Sequence, residues 1–155
     1  YPETRDLMRR ERSVKEVLEL QRRTDIAVFG IGAVGGALPS HVYSAGYLDR
    51  ADLKLLHKER VVGDVCTVFL RSDGSYEDIA LNARATGPTP AELQRIPRRV
   101  CTVSGDHKVE PLLGALRARA ITDLVIDEQT ASQLVQAAGV RPDVTLPRVA
   151  RTVRR

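Results

Sequence analysis

The chain has 155 residues, of which 43% are hydrophobic and 28% charged, a balance that fits one globular domain, or part of one, and excludes two independent cores or a disordered chain. At this length a fold buries roughly 70% of its unfolded surface and needs no metal or disulfide staple, and no apolar run approaches the roughly 18 residues that would cross a bilayer. The net charge of +4 is concentrated at one end: from Gly139 onward Arg141, Arg148, Arg151, Arg154 and Arg155 face Asp143 alone, so the preceding residues are balanced. A solvated basic tail accounts for this more simply than a nucleic-acid surface, which would need a basic excess on the body.

The opening Tyr-Pro-Glu-Thr-Arg has no initiating Met and no signal-like apolar stretch, as expected of a piece of a longer polypeptide. Ser13-Val14-Lys15-Glu16 has the form of a capping box. It predicts a helix to about Arg23 with Val14, Val17, Leu18 and Gln21 facing inward. Ile26 to Phe29 predicts a strand, and its unbroken apolar character predicts cover on both faces, as in a parallel sheet. It ends in GIGAVGG, residues 30–36. There glycine would let backbone amides gather around an anion. The spacing misses the GxGxxG dinucleotide fingerprint and lacks the Lys-Ser/Thr of a P-loop, which leaves a plain tight turn as the simpler reading.

Asp49 to Lys58 predicts a helix capped by Asp49, with Leu53, Leu55 and Leu56 inward. Val65 to Leu70 and Tyr76 to Ala80 predict an antiparallel hairpin turned by Asp73-Gly74. Thr89 caps a short helix with Pro90 in its first position. Arg99 to Ser104 predicts a strand, Lys108 to Arg119 a helix, Leu124 to Asp127 a strand, and Gln129 to Ala138 a helix stopped by Gly139. This alternation predicts an α/β protein, a Rossmann-like three-layer sandwich whose mostly parallel sheet carries one inserted antiparallel hairpin. Cys66 and Cys101 sit in apolar β-type runs without a CxxC partner or a His at ligand spacing. They read as buried free thiols, with a disulfide as the alternative, and no metal site or cofactor is expected.

In open α/β sheets, ligands bind beyond the carboxyl ends of the strands. Gly30 and Gly32 stand at the first such end. Ser104-Gly105-Asp106-His107-Lys108 stands at the second, where a lysine opposes the helix dipole by about 0.3–1 kcal/mol unless an anion answers it. The plain alternative is a lysine that reaches solvent. Asp127, at the third, is either a helix cap or a ligand contact. Asp64 is either a turn former or an acceptor for polyol hydroxyls, and Asn82 and Arg84 could add donors. None of these is a catalytic set.

The ordered set DIAVFGIG (25–32), VVGDVC (61–66), the Asp-Gly at 73–74, LNAR (81–84), Leu93 to Pro97, VSGDHK (103–108) and LGALRARAITDLVIDEQTA (113–131) resembles the C-terminal effector-binding domain of the SorC (DeoR-like) family of bacterial sugar-responsive transcriptional regulators. The resemblance implies a fold similar to sugar-phosphate isomerases and deaminases. It also implies a DNA-binding domain and the first part of the effector domain before Tyr1. Residues 1–139 would then be part of the effector-binding domain, and 140–155 a basic tail. It implies a phosphorylated sugar as effector, DNA reached through the absent domain, a homo-oligomer (dimer or tetramer), a cytoplasmic location and no membrane partner. Asp64 and Lys108 stand at positions similar to effector contacts in that family, with Gly30 and Gly32 at the equivalent strand end.

Enzymes of the deaminase type carry Gly-x-Gly-x-Asp-Gly-His at the Gly-rich segment, where this chain has Val34 for the acid and Gly36 for the histidine. Isomerisation needs a positioned base, so the departure points to a binder without catalysis. Three readings follow: a sugar-phosphate-sensing domain, which leads; a sugar-phosphate isomerase or deaminase using Asp64 as base; and an assembly surface.

Overall fold

A computed structural model describes residues 1–35 and 41–140, so Gly36 and the basic tail from Arg141 lie outside the described residues. The chain opens with α1 (Pro2–Met8), which was not anticipated, and α2 (Arg12–Arg22). Pro2 takes the start of α1, where its missing N–H costs nothing. The Ser13 capping box does not form: α2 begins at Arg12 behind Glu11 with no side-chain cap, which puts Ser13 inside the helix. Glu16, expected to reach back to the cap, instead accepts from Arg12 Nε at 3.0 Å, the i,i+4 pairing favoured on a helix surface. Val14, Leu18 and Gln21 are half-buried as expected, but Val17 is exposed.

β1 (Ile26–Phe29) falls on the predicted residues. No tight turn forms at residues 30–33, the first part of the Gly-rich segment. The chain passes through Gly30 alone into a second extended segment, β2 (Ile31–Ala33), which leaves the first sheet and pairs antiparallel in another. α3 (His41–Ser44) and α4 (Arg50–Lys58) follow. Asp49 caps α4 as predicted: its Oδ1 accepts from the amides of Ala51 and Asp52 at 2.7 and 2.8 Å. Leu56 is fully buried, Leu55 half-buried and Leu53 exposed.

The hairpin lies one strand earlier than predicted, between β3 (Val61–Val65) and β4 (Val68–Arg71). Its two-residue turn is Cys66-Thr67, both with positive φ (50° and 70°), the geometry that matches strand twist but is usually given to Asn-Gly. Tyr76 to Ala80 is not a strand. A 3₁₀ turn, Ala80–Arg84, takes its place, and Asp73-Gly74 closes the end of β4 through Asp73, which accepts from the Ser75 amide at 2.9 Å. Asn82 substitutes for the missing strand partner. Its Oδ1 accepts from Phe69 N at 2.7 Å, and its Nδ2 donates to Phe69 O at 2.9 Å and Tyr76 O at 2.8 Å. One amide side chain thus does the work of a ladder rung.

The remaining elements are α5 (Pro90–Leu93), β5 (Arg98–Val103), a 3₁₀ turn Asp106–Lys108, α6 (Val109–Arg117), β6 (Asp123–Ile126) and α7 (Glu128–Ala137). Thr89 and Glu92 form a complete capping box around α5, and Gly139 stops α7 at φ 66°, both as predicted.

Two sheets result: a parallel one ordered β1-β5-β6 and an antiparallel one ordered β2-β3-β4. The mostly parallel sheet with an added hairpin is the predicted class. One face of the parallel sheet (Ala27, Phe29, Cys101, Val103, Leu124, Ile126) joins the main core with Leu112 and Ala115 of α6 and Leu134 of α7. The opposite face is a correction to the expectation of two covered faces. There Ile26, Val28 and Val125 are 52%, 68% and 59% exposed. β1 is an edge strand here, so the continuous apolar run is buried on one side only. A smaller core, with Leu56, Val61, Phe69, Ile79 and Leu81, lies against the antiparallel sheet.

Candidate functional site at the junction of the two sheets

Lys108 is brought to β2, and Asp64 lies on the neighbouring strand β3. Lys108 is the N-cap of α6 and is half-buried. Its Nζ donates to the Ile31 carbonyl at 2.8 Å, its only hydrogen-bond partner among the described residues. An ammonium has three N–H donors, so two are not used by the described residues. Ile31 sits beside Gly32 in β2, and Gly32 is the register partner of Asp64 in β3. The lysine does not simply reach into solvent: a backbone carbonyl anchors its charge one residue from the Asp64 position.

Asp64 is 5% exposed. Its Oδ2 accepts from Thr67 N at 3.2 Å, so the carboxylate fixes the strained turn that follows. Two consecutive non-glycine residues with positive φ are uncommon and concentrate where function over-determines the backbone. Of the two roles predicted for Asp64, this bond meets that of turn former. Gly30 and Gly32 do not form a nest of amides around an anion, because the segment is extended. The close approach here depends on Gly63 of β3, where a Cβ would lie 2.1 Å from the Gly32 carbonyl oxygen.

Asp127 lies at the third strand end and caps α7. It accepts from Thr130 N at 2.9 Å and from the Thr130 hydroxyl, and these bonds hold its carboxyl down at about 2, well below the usual range, with a further bond from Ser104. Thr130 Oγ1 in turn accepts from Gly105 N at 2.9 Å. Asp127 thus reaches the Lys108 loop through Thr130, a residue that sequence reasoning missed although its place three after Asp127 was readable as a cap position. Because the folded carboxyl is depressed, its contribution is present above an ordinary carboxylate range near 4 and is lost as pH falls toward about 2. Asp127→Ala is expected to lower the thermal midpoint at pH 6, with the gap to the wild type closing between pH 4 and 2.

Asn82 and Arg84 are not brought to this junction by any contact. Asn82 is spent on β4. Arg84 Nη1 binds both oxygens of Asp52 at 2.9 Å, and Nη2 binds Tyr47 O at 3.2 Å, pinning the 3₁₀ turn to α4. Arg84 does line a cavity of about 510 Å³ together with Val42, Leu48, Thr67, Phe69 and Thr86. That cavity shares the Thr67 turn and Phe69 with the Asp64 hairpin. A smaller cavity of about 260 Å³ lies between α2, β1 and α5, and neither Asp64 nor Lys108 lines it.

Both cysteines are free. Burial, and then the Asp64 charge, pushes the Cys66 thiol up to about 11. Burial, and then the neighbouring Cys66, does the same for Cys101. Thiols so protonated are poor nucleophiles. Among the described residues no cluster of His, Cys, Asp and Glu could hold a metal ion, and no helix is long and apolar enough to cross a membrane.

The Sugar-bind family model, describing a sugar-binding domain, matches residues 1–136. Among curated proteins, the transcriptional regulator LsrR of Enterobacter sp. (strain 638) is 30% identical over 138 residues, which are 88% of this chain and 43% of that protein. The deoxyribonucleoside regulator of Bacillus subtilis (strain 168) is 29% identical over 83% of this chain and 40% of its own length. Among solved structures, a domain of a possible sugar-binding transcriptional regulator from Arthrobacter aurescens TC1 is 51% identical, with TM-score 0.79 over 88% of this chain and 52% of that one. The full-length sorbitol operon regulator SorC of Klebsiella pneumoniae, at 23% identity and TM-score 0.75 over 87% of this chain and 43% of its own, shares the fold. The chain spans about half the length of the solved domains it matches and less than half of the curated relatives. With the family model covering 136 of its residues, the chain belongs to the Sugar-bind family of sugar-binding domains.

Proposed function

We propose that this chain is part of the effector-sensing domain of a bacterial transcriptional regulator. A phosphorylated sugar binds at the rim of Gly30, Gly32, Asp64 and Lys108, and its binding sets the affinity for operator DNA of a domain outside this chain, controlling a carbohydrate-metabolism operon. The observation that carries the reading is the Lys108 ammonium held on the Ile31 carbonyl, one residue from the Gly32–Asp64 pair. An anchored cation suits a phosphate, and a buried carboxylate suits sugar hydroxyls. Asn82, Arg84 and Asp127 serve this site by holding β4, α4 and the Lys108 loop in place.

Val34 supports a binder rather than an enzyme: the residue at the acid position of deaminase-type sequences packs among the apolar side chains of the smaller core. The bare face of Ile26, Val28 and Val125 is where the remaining half of the effector domain packs, since solved relatives carry about twice as much chain. Residues 1–139 belong to that domain, 140–155 are a basic tail in sequence, and the regulator works in the cytoplasm as a dimer or tetramer. Regulation follows when the effector prefers one quaternary arrangement, and a tenfold change in DNA affinity needs only about 1.4 kcal/mol of such preference.

A thermal-shift screen of phosphorylated sugars on the intact regulator tests the reading. A ligand at about 100 times its Kd stabilises the fold by about 2.7 kcal/mol. Asp64→Asn and Lys108→Met are each expected to weaken the active sugar about 10-fold or more. Stabilisation by none of the sugars, or equal stabilisation of both variants, refutes the site. Turnover of a sugar phosphate that disappears in Asp64→Asn would overturn the non-catalytic role.

A further inference from the structure

Tyr43 brings a second polar group to the surroundings of Asp64. It lies in α3, and its ring rests on Phe69 with centroids 5.9 Å apart and planes tilted by 50°. Phe69 is the residue directly opposite Asp64 in the β3–β4 ladder, and opposed residues of an antiparallel pair show their side chains on the same face. The Tyr43 ring is therefore stacked over the face of the hairpin that carries the Asp64 side chain. Its hydroxyl oxygen is sealed from solvent and has no hydrogen-bond partner among the described residues. Such groups are rare in native proteins and call for a partner that arrives with function. Burial, and then the nearby Asp64 charge, pushes the phenol upward, so it remains an O–H donor throughout the neutral range.

We infer that Tyr43 is a specificity-determining residue of the effector site, donating its phenolic O–H to the same ligand hydroxyl whose proton Asp64 accepts. The inference rests on the proposed sugar-phosphate site and deepens it. An ionised carboxylate can only accept and a protonated phenol can donate, so the two together read a ligand O–H as both donor and acceptor. A hydrogen in place of that hydroxyl satisfies neither. The class selected is a phosphorylated sugar that bears the hydroxyl, against its deoxy counterpart.

The test is calorimetric titration of wild type, Tyr43→Phe and Asp64→Asn in the full chain. The probes are ribose 5-phosphate, fructose 6-phosphate, glucose 6-phosphate, deoxy counterparts of each, and inorganic phosphate. For the sugar phosphate that binds, Tyr43→Phe is expected to raise Kd about 10-fold. Its affinity for the deoxy form lacking the read hydroxyl, and for inorganic phosphate, should stay unchanged. The ligand-free melting temperature should not fall, because the lost hydroxyl has no hydrogen-bond partner among the described residues. Equal weakening of the hydroxyl and deoxy forms, unchanged affinity for every sugar phosphate, or a lower ligand-free melting temperature overturns the role of Tyr43 and leaves the sugar-phosphate site standing. Failure of the wild type to bind any sugar phosphate overturns both.

Discussion

Gly63→Ala is expected to destabilise the protein by about 3 kcal/mol or more, at or beyond the upper end of ordinary overpacking. A Cβ at this position would stand 2.1 Å from the Gly32 carbonyl oxygen and 2.7 Å from the Pro111 Cβ. Neither neighbour can retreat cheaply. The Gly32 backbone is held in the β2–β3 pairing, and Pro111 is buried in the first turn of α6. Relief requires β2 to shift, and that shift would also carry the Ile31 carbonyl away from the Lys108 ammonium. Urea unfolding of Gly63→Ala beside Gly35→Ala checks the argument. A Cβ at Gly35 meets nothing within 4 Å, so that control should stay within about 0.5 kcal/mol of wild type. A Gly63→Ala midpoint equal to wild type would show that the two strands do not approach this closely.

Asn82→Ala is expected to cost about 3 kcal/mol, because three hydrogen bonds end on one partly buried amide. Their loss leaves the Phe69 N–H and C=O on the open side of β4 without partners, and β4 is an edge strand of its sheet. Asn82→Asp separates the contributions: it keeps an acceptor for Phe69 N, loses both donated bonds, and places a negative charge beside two carbonyls. It should be at least as damaging at neutral pH and recover partly as the carboxyl is protonated. Chemical denaturation at pH 7 and pH 4.5 reads both variants. An Asn82→Ala protein as stable as wild type would mean that β4 does not depend on this amide.

The elements legible from sequence were those whose cause lies within a few residues. Asp49 and its Asp52 return, the Thr89-Pro90 start with Glu92, and Asp127 before α7 each place cap and helix side by side, so type and spacing suffice. The Ser13 box failed for a local reason too, since Arg12 took the glutamate that the cap required. The hairpin failed for one near reason and one distant one. Asp73-Gly74 is the better turn sequence, yet Cys66-Thr67 turns the chain because the Asp64 carboxylate holds Thr67 N. Gly74 serves close packing instead: a Cβ there would lie 2.6 Å from Ala118 N at the end of α6. At the site, residue chemistry nominated Asp64 and Lys108 separately, and only the family resemblance joined them as expected effector contacts. Tyr43 gave no signal, because a lone tyrosine in a short helix reads as ordinary core.

What the amino-acid order alone determined is the family, the α/β class, the strands of the parallel sheet and most helix ends, since apolar runs and caps act over three to five residues. The tertiary structure decided that the chain leaves one sheet for another at Gly30, that Asn82 closes β4, and that one face of the parallel sheet stays bare. It also set the Lys108 ammonium one residue from the Gly32–Asp64 pair. These outcomes depend on groups up to 77 residues apart in sequence, and only packing brings such groups within hydrogen-bonding distance.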